Sequence, residues 1–492
     1  MDEHRGFRFV ANLKPYTVHR GPGVPRFGAY LLSTDYARSF QDLAREVVGH
    51  GSALCADNGN FDLIRTLIAR HTPAADALDA ERRVHERRVG RRARRDDLPA
   101  SLRDRYRQLA SEVRTGSDSA TDRSRVAEIV RAQTAMSPTY LVGMEDFTVP
   151  ALTGLGVSPE VLDVGEPFYA RLAKRSIEFA IKTRAGRYGP CTAAVFAGLH
   201  ALDYDTARIA GLAAGKAGVT AIATGLVGAL QDKTYTDSRV EAGRVIELGH
   251  SIPRPYLRVA EIAAGLHEGC VTASGHRPCF HGLGAGTPIL LPLLAALGDS
   301  TTYTATDSTA PIVDGWSGPT ISLYVDEPAP LKYKAHRIAE VWLADDRPWE
   351  CRCPHCRAFN RACPPRVDEA RRWWRAQNKP PLTSTSVRAP SPLADWLPLL
   401  GSPSDPGLRL TGAMARVNHN HWVLQRIEAA ARRHSDTYEG RVAWTDEIVR
   451  AYLASAADPQ WKLAVSAAWM IVRRAAERTR DAAPTPLTMP TA

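Results

Sequence analysis

His281–Gly315 reads HGLGAGTPILLPLLAALGDSTTYTATDSTAPIVDG. A Gly-rich turn, Gly282–Pro288, leads into an apolar helix over Ile289–Leu297, and Gly298 stands where a helix commonly stops. A Thr- and Tyr-rich run with strand propensity then delivers Asp307 and Ser308. Turn, helix, strand and a carboxylate at the strand's end make one βα unit of a (β/α) barrel, a fold whose chemistry sits at the C-terminal ends of its strands. Taken alone, Asp307 reads first as a strand-end cap for nearby backbone N–H groups, and it is the stretches elsewhere in the chain that turn the reading toward chemistry.

Other stretches repeat the rhythm. Ala53–Ala56 is a short buried strand ending at Asp57-Asn58-Gly59-Asn60-Phe61, where Asn-Gly marks a turn and Asp57 could cap the next helix. Tyr140–Met144 ends in Glu145 and Asp146, Ala193–Leu199 ends in His200, and Thr220–Ala223 ends in Thr224-Gly225-Leu226. Val240–Gly249 and Leu257–Leu266 read as helical or mixed. Repeated βα units imply a parallel sheet with crossover helices. The expected fold is α/β, a (β/α)8 TIM barrel, with a doubly wound sheet second. GLGAGTP lacks the spacing of a dinucleotide loop.

The 492 residues suffice for one large domain with additions. The barrel is expected over 1–345, interrupted at 73–135 by a charged helical insertion. Within it, Glu81–Arg95 holds eight Arg against two Glu. Such a run is either a solvated helical face or an arm that tracks phosphates. The net charge of +10 suits a polyanionic partner. No apolar run approaches the ~20 residues of a membrane span, and the N-terminus lacks the form of a signal peptide, so a cytoplasmic protein without a membrane partner is expected. The Pro-rich region 346–425 reads as a metal subdomain, 426–480 as helices packed on the barrel (Trp422–Arg433 and Lys462–Arg480 are the helical runs), and 481–492 as a disordered tail.

Of eight Cys, four lie within thirteen positions: Cys351, Cys353, Cys356 and Cys363. Three thiolates in a CxCxxC pattern are hard to explain by packing, whereas Zn²⁺ takes four such donors in a tetrahedron. The fourth ligand is open between Cys363 and His419, the latter placed at the start of a helix. A closed site of this kind is structural.

Together these motifs resemble the tRNA-guanine transglycosylase superfamily, zinc-bearing (β/α)8 barrels that exchange guanine for a 7-deazaguanine in a nucleic acid. Asp57–Phe61 resembles its DSGGFQ motif. His281–Pro288 resembles its barrel motif of the form (Y/H)-L-(M/F)-G-x-G-(T/H)-P. Gly298–Ser308 resembles its G-x-D-x-F-D-(S/C) motif, and Cys351, Cys353, Cys356 with His419-Asn420 resembles its zinc motif. The resemblance runs from about residue 25 to 430. It implies Asp307 as nucleophile, Asp57 as general acid–base, Zn²⁺ on Cys351, Cys353, Cys356 and His419, and base recognition by Glu145, Asp146, His200, Gly225, Leu226 and Gly284. His200 stands where the family has a base-reading Gln. DNGNFD replaces DSGGFQ, the Arg-containing tail after the nucleophile is missing, and no tRNA-binding C-terminal domain is visible. These departures resemble the DNA-modifying branch, the DpdA-type DNA-guanine transglycosylases. That branch implies a pentosyltransferase placing 7-cyano-7-deazaguanine in DNA with accessory proteins. A tRNA enzyme and an inactive, zinc-stapled nucleic-acid-binding subunit are the alternatives.

Overall fold

The computed structural model describes residues 5–19, 26–90, 93, 95–157, 161–162, 164–232, 234–316, 322–325, 329–334, 352–362, 406–455 and 457–485. Eight strands close into a barrel: β1 (Phe7–Asn12), β2 (Ala29–Ser33), β3 (Ala53–Asp57), β4 (Tyr140–Val142), β5 (Ala194–Gly198), β6 (Ala221–Gly225), β7 (Cys279–Leu283) and β8 (Thr304–Asp307). All neighbours are parallel and consecutive in sequence, and β8 pairs with β1 through Val10 opposite Asp307. Helices connect the strands outside, giving the expected (β/α)8 arrangement.

Successive strand residues point to opposite faces, and the packing separates accordingly. Val10, Leu31, Cys55, Tyr140, Phe196, Ala223, Cys279 and Ala305 fill the barrel's interior. Phe9, Tyr30, Leu54, Leu141, Ala197, Ile222 and Phe280 face the helices. Two residues beyond Cys55 is Asp57, and two beyond Ala305 is Asp307. The pleat therefore carries both acids inward at the mouth. Beneath them Tyr140, Phe196 and Tyr303 form an aromatic floor, with ring centroids 5.1–5.7 Å apart and the Tyr303 hydroxyl bonded to that of Tyr140.

The opening stretch differs in detail from its sequence reading. Gly282 and Leu283 still belong to β7, so the turn proper starts at Gly284, and the helix is shorter, Leu290–Ala295. Gly298 does not end it in the left-handed region. Its need for no side chain comes from Thr304, whose side chain occupies the place a Cβ would take.

Val240–Gly249, read as helical or mixed, lies in a β-hairpin, Tyr235–Glu241 paired with Arg244–Pro253. Ala242 and Gly243 at its tip both have positive φ, the geometry of a tight hairpin turn. Asp205 accepts hydrogen bonds from both their N–H groups, at 2.7 and 2.9 Å. That support comes from another βα unit, so no local pattern announces it.

Helices Tyr204–Lys216 and Arg254–Ser274 approach backbone to backbone. Gly211, Gly215, Gly265 and Gly269 line the seam. A Cβ on Gly269 would stand 2.8 Å from Leu212 N, and one on Gly215 would stand 2.6 Å from Cys270 O. Neither obstacle is a side chain that can rotate away. Gly269→Val is expected to cost about 3 kcal/mol or more, the upper range for overpacking, measured by denaturant unfolding.

The insertion begins at Phe61, ahead of the composition change at residue 73, because a single helix runs Phe61–Val89 through Pro73. Helices Ala100–Ala120 and Arg123–Thr134 return the chain to the barrel. The insertion's apolar residues, including Leu67, Leu78, Leu102, Leu109 and Val113, share one core with Met144, Phe147, Leu152 and Leu172 after β4. Part of the Arg run is neutralised locally: Arg82 pairs with Asp79 and Glu86, and Arg83 with Asp79, while Glu81 is taken by Arg105 outside the run. Arg87 and Arg88 are exposed, and Arg91, Arg92 and Arg94 lie outside the described residues.

Helix Pro406–Arg433 packs against β1, and Tyr438–Ala454 and Pro459–Arg478 cover the outer layer. His419 sits inside the first of these, not at a helix start. Of the tail 481–492, residues 486–492 lie outside the described residues. Among the described residues no helix is long and apolar enough to cross a membrane.

Candidate active site and metal cluster

The loop after β3 is built to present Asp57. Thr34 Oγ1 donates to the carbonyl of Asn58 (2.9 Å), and Asn58 Nδ2 donates to the carbonyl of Gly143 (3.0 Å), tying the β3 and β4 loops. Gly59 has φ +68° and faces Thr34, Asp35 and Ser33, so a side chain there would be both strained and blocked. Gln133, fully buried, donates to the carbonyls of Ala56 (3.0 Å) and Val142 (2.7 Å), stitching the two strand ends together. The helix that follows starts after Asn60, so Asp57 is not its cap.

Across the mouth, Asp307 is held on one side only. His281 Nε2 lies 3.1 Å from Asp307 Oδ1, and the Gly284 N–H donates to the same oxygen at 3.2 Å. Gly284 reaches this position in the left-handed region, φ +82°, with Val227 packed where a Cβ would go. Oδ2 has no hydrogen-bond partner among the described residues. Asp307 thus does accept a backbone N–H, as a strand-end cap would, but keeps its second oxygen available.

The opposite wall comes from β4, β5 and β6. Glu145 fits only because β5 ends in Gly198, whose Cβ would lie 2.9 Å from Glu145 Cβ. His200 Nε2 is 2.9 Å from Glu145 Oε2. The atoms are close enough for an ion pair but off the line a hydrogen bond needs, and both are buried without a hydrogen-bond partner, as is Thr224 Oγ1. Gly225 leaves room for the His200 ring, a Cβ there standing 3.1 Å from its Cε1, and Leu226 is buried with its N–H on the Leu283 carbonyl.

Adjacent in sequence, Glu145 and Asp146 have separate environments. Asp146 accepts from Thr148 N (2.9 Å) and Ser117 Oγ (3.3 Å) and pairs with Arg175 (3.2 Å). It anchors the insertion helix to the barrel, with its bonding capacity occupied by protein. Glu145 is the one turned toward the other acids.

Electrostatics single out Asp57. Burial, then the charges of Glu145 and Asp307, push its pKa up to about 7, against partial relief from the Asn58 and Gly59 N–H groups. The side chain is half-buried, with its carboxyl close to other charged groups. A carboxylic acid that titrates near neutrality can both give and take a proton at working pH. Below it the Cys55 thiol is pushed far above its ordinary value by burial and by Asp57 and Asp307, which makes it packing and not a nucleophile.

Cys353, Cys356 and His419 converge, with one ligand atom of each within 4.8 Å of the others, all buried. Cys356 Sγ is 3.4 Å from His419 Nδ1. His419 Nε2 lies 2.9 Å from the Tyr324 carbonyl, the second contact that commonly orients a metal-bound imidazole. Asn420 clamps the same strand, accepting from Tyr324 N (3.0 Å) and donating to the Ser322 carbonyl (3.0 Å). Two sulfurs and a nitrogen suit a tetrahedral metal ion. Cys351 and Cys363 lie outside the described residues. Cys356→Ser is expected to lower bound metal, measured by elemental mass spectrometry, and to depress the thermal midpoint by several degrees or more.

His281, Gln133 and Gly198 had no role assigned from sequence. Alternation along β7, with Cys279, His281 and Leu283 facing in, is the signal that puts His281 under Asp307. Nothing local marks Gln133 or Gly198, whose roles arise from contacts between distant strands. Compared with known proteins, the chain matches no family model and no curated protein.

Proposed function

We propose that this chain is a guanine transglycosylase acting on DNA, exchanging guanine for a 7-deazaguanine such as 7-cyano-7-deazaguanine. The observation that carries the reading is the pair of inward acids ending β3 and β8, one titrating near 7 and the other with a free oxygen. Cleaving an N-glycosidic bond develops positive charge at C1′, which a nearby carboxylate stabilises and captures. Asp307 Oδ2 attacks C1′ as the C1′–N9 bond breaks. The bonding pair goes to guanine, and protonated Asp57 supplies the proton that guanine leaves with. The incoming base then gives its N9 proton to Asp57, and its N9 displaces Asp307 from C1′. Protons balance over the exchange, so no other reactant is required.

The buried atoms of the opposite wall complement guanine, which would replace the Glu145–His200 contact. Glu145 Oε2 is an acceptor for N1–H and the exocyclic amine, and His200 Nε2–H a donor for O6. Gly225 and Leu226 border that edge, and Gly284 fixes Asp307. The target nucleotide has to leave any duplex to reach this depth. Zinc on Cys353, Cys356 and His419, with Cys351 or Cys363 completing the set, would hold strand Ser322–Val325 and helix Pro354–Ala362 against helix Pro406–Arg433 and take no part in the exchange. The basic charge suits a polyanionic nucleic acid, and the departures at Asp57–Phe61 and after Asp307 favour DNA over tRNA.

The test incubates purified protein with radiolabelled 7-cyano-7-deazaguanine and either DNA or bulk tRNA, with and without neighbouring gene products. Label in DNA is expected. Label confined to tRNA would assign the tRNA activity, and label in neither would leave a zinc-stapled binding subunit.

A further inference from the structure

Exposed large apolar residues follow two groups of strands: Val227 (39% exposed), Tyr235 (37%) and Val245 (46%) come after β6, and a second set comes after β2, β3 and β8. Tyr36 (51% exposed) follows β2, Phe61 (54%) follows β3, and Val313 (59%) and Trp316 (42%) follow β8. In the closed barrel the order runs β8-β1-β2-β3, so these residues rim a continuous arc. Its two ends are the strands that carry Asp307 and Asp57. The guanine-complementary atoms of Glu145 and His200 belong to the other arc, β4 to β6.

Single exposed apolar residues are ordinary on a surface, so what distinguishes these rings is their place at the mouth and the charges beside them. Cations accompany two of the rings. Lys14, which follows β1, places Nζ 4.3 Å from the Tyr36 ring centroid, and Arg65 places Cζ 4.6 Å from that of Phe61. One face of each ring meets a cation, and about half of each residue stays open. Rings for bases alternating with cations for phosphates is the chemistry that holds a single nucleic-acid strand. A duplex keeps its bases stacked inside and offers such rings only its backbone.

We propose that the β8–β3 arc is a track for single-stranded DNA, on which nucleotides flanking the target stack against Tyr36, Phe61 and Trp316 while the target base enters the β4–β6 wall. The division follows from the chemistry: the sugar must lie by Asp57 and Asp307, so the backbone crosses the arc those acids bound. This rests on the proposed base exchange for the identity of the target. The track itself needs only the rim. It makes a single strand or an opened duplex the substrate, with unwinding supplied from elsewhere.

The experiment measures binding by fluorescence anisotropy, using a guanine-containing oligodeoxynucleotide of about 20 nucleotides as a single strand and as a duplex. The Asp307→Asn protein is the background, so chemistry does not enter. The single strand is expected to bind at least about tenfold more tightly. Tyr36→Ala, Phe61→Ala and Trp316→Ala are each expected to weaken single-strand binding about five- to tenfold or more, and to leave duplex binding and the thermal midpoint unchanged. Met470→Ala, an equally exposed apolar residue on the outer helix Pro459–Arg478 (61% exposed), serves as control and is expected to bind as the parent does. Equal or tighter duplex binding, or single-strand binding undiminished in all three rim variants, would overturn the track. Base exchange fails separately. A wild-type protein that prefers single strands through the rim but transfers no label keeps the track and loses the transferase, and one that labels duplex DNA with rim variants unimpaired keeps the transferase and loses the track.

Discussion

Asp307→Asn is expected to abolish exchange, by a factor on the order of 10³–10⁴ or more, as loss of a covalent nucleophile does elsewhere. The amide cannot form the sugar ester, so no DNA adduct should survive denaturing electrophoresis, whereas wild-type protein quenched in mid-reaction should show one. The fold gives this test its force. Asn at 307 keeps an oxygen for the Gly284 N–H, which now donates at 3.2 Å, and the side chain's volume is unchanged. Stability should move by no more than about 1 kcal/mol, the net worth of one altered hydrogen bond. A variant that is folded, binds single-stranded DNA and does not react isolates the chemistry. Retained activity, or an adduct that persists, would remove Asp307 from the mechanism.

Asp57→Asn is expected to inactivate and to stabilise at once, and the sign follows from linkage. In the folded protein the Asp57 pKa is raised to about 7 by burial and by Glu145 and Asp307, while in the unfolded chain it lies near 3.9. Between those values the folded state binds more protons, so stability falls as pH rises from about 4 to about 7 and stays low above that. Below pH 4 the acid is protonated in both states and costs nothing. Asn removes the charge, so at pH 8 the variant should be more stable by about 1–4 kcal/mol. The upper end is the three-unit shift at 1.36 kcal/mol each, and the lower end allows for the solvent that reaches the side chain. At pH 4 the two proteins should unfold alike. Melts of both across pH 4–9 check this. The rate of adduct formation in the wild type, which needs the protonated acid, should decline above about pH 7. A stabilised, inactive variant is the signature of a group placed for catalysis at the expense of the fold. An Asp57→Asn protein destabilised at every pH would make Asp57 a structural residue.

These two acids also show what could be read in advance. Asp57 and Asp307 each close a short apolar strand, and two-residue periodicity fixes which way a strand's last residue faces once one face is buried. The repeated βα rhythm then implied a barrel, and the barrel implied one mouth. Hydrophobic patterning and local turn chemistry suffice for such inferences, because the forces that set them act over a few residues. The Cys353–Cys356 pairing was legible for the same reason, since spacing within one turn is local, whereas His419 joins it from 63 residues away.

What adjoins the acids was not legible. The separation of Glu145 from Asp146 depends on Ser117, Arg175 and Gly198, which reach them from three other elements. The raised pKa of Asp57 depends on charges from β4 and β8. The hairpin at Tyr235–Pro253 depends on Asp205, and the helical seam on glycines whose obstacles lie on the facing backbone. Each is a contact between residues far apart in the chain, and a sequence specifies such contacts only through the whole fold. The sequence by itself determined that there is a barrel and which strands end in acids. The tertiary structure decided which oxygen of Asp307 makes no hydrogen bond among the described residues, which acid at the mouth is raised to about 7, and that Tyr36, Phe61 and Trp316 follow the strands that run from β8 to β3, because burial, charge and proximity are properties of the closed barrel and not of any one strand.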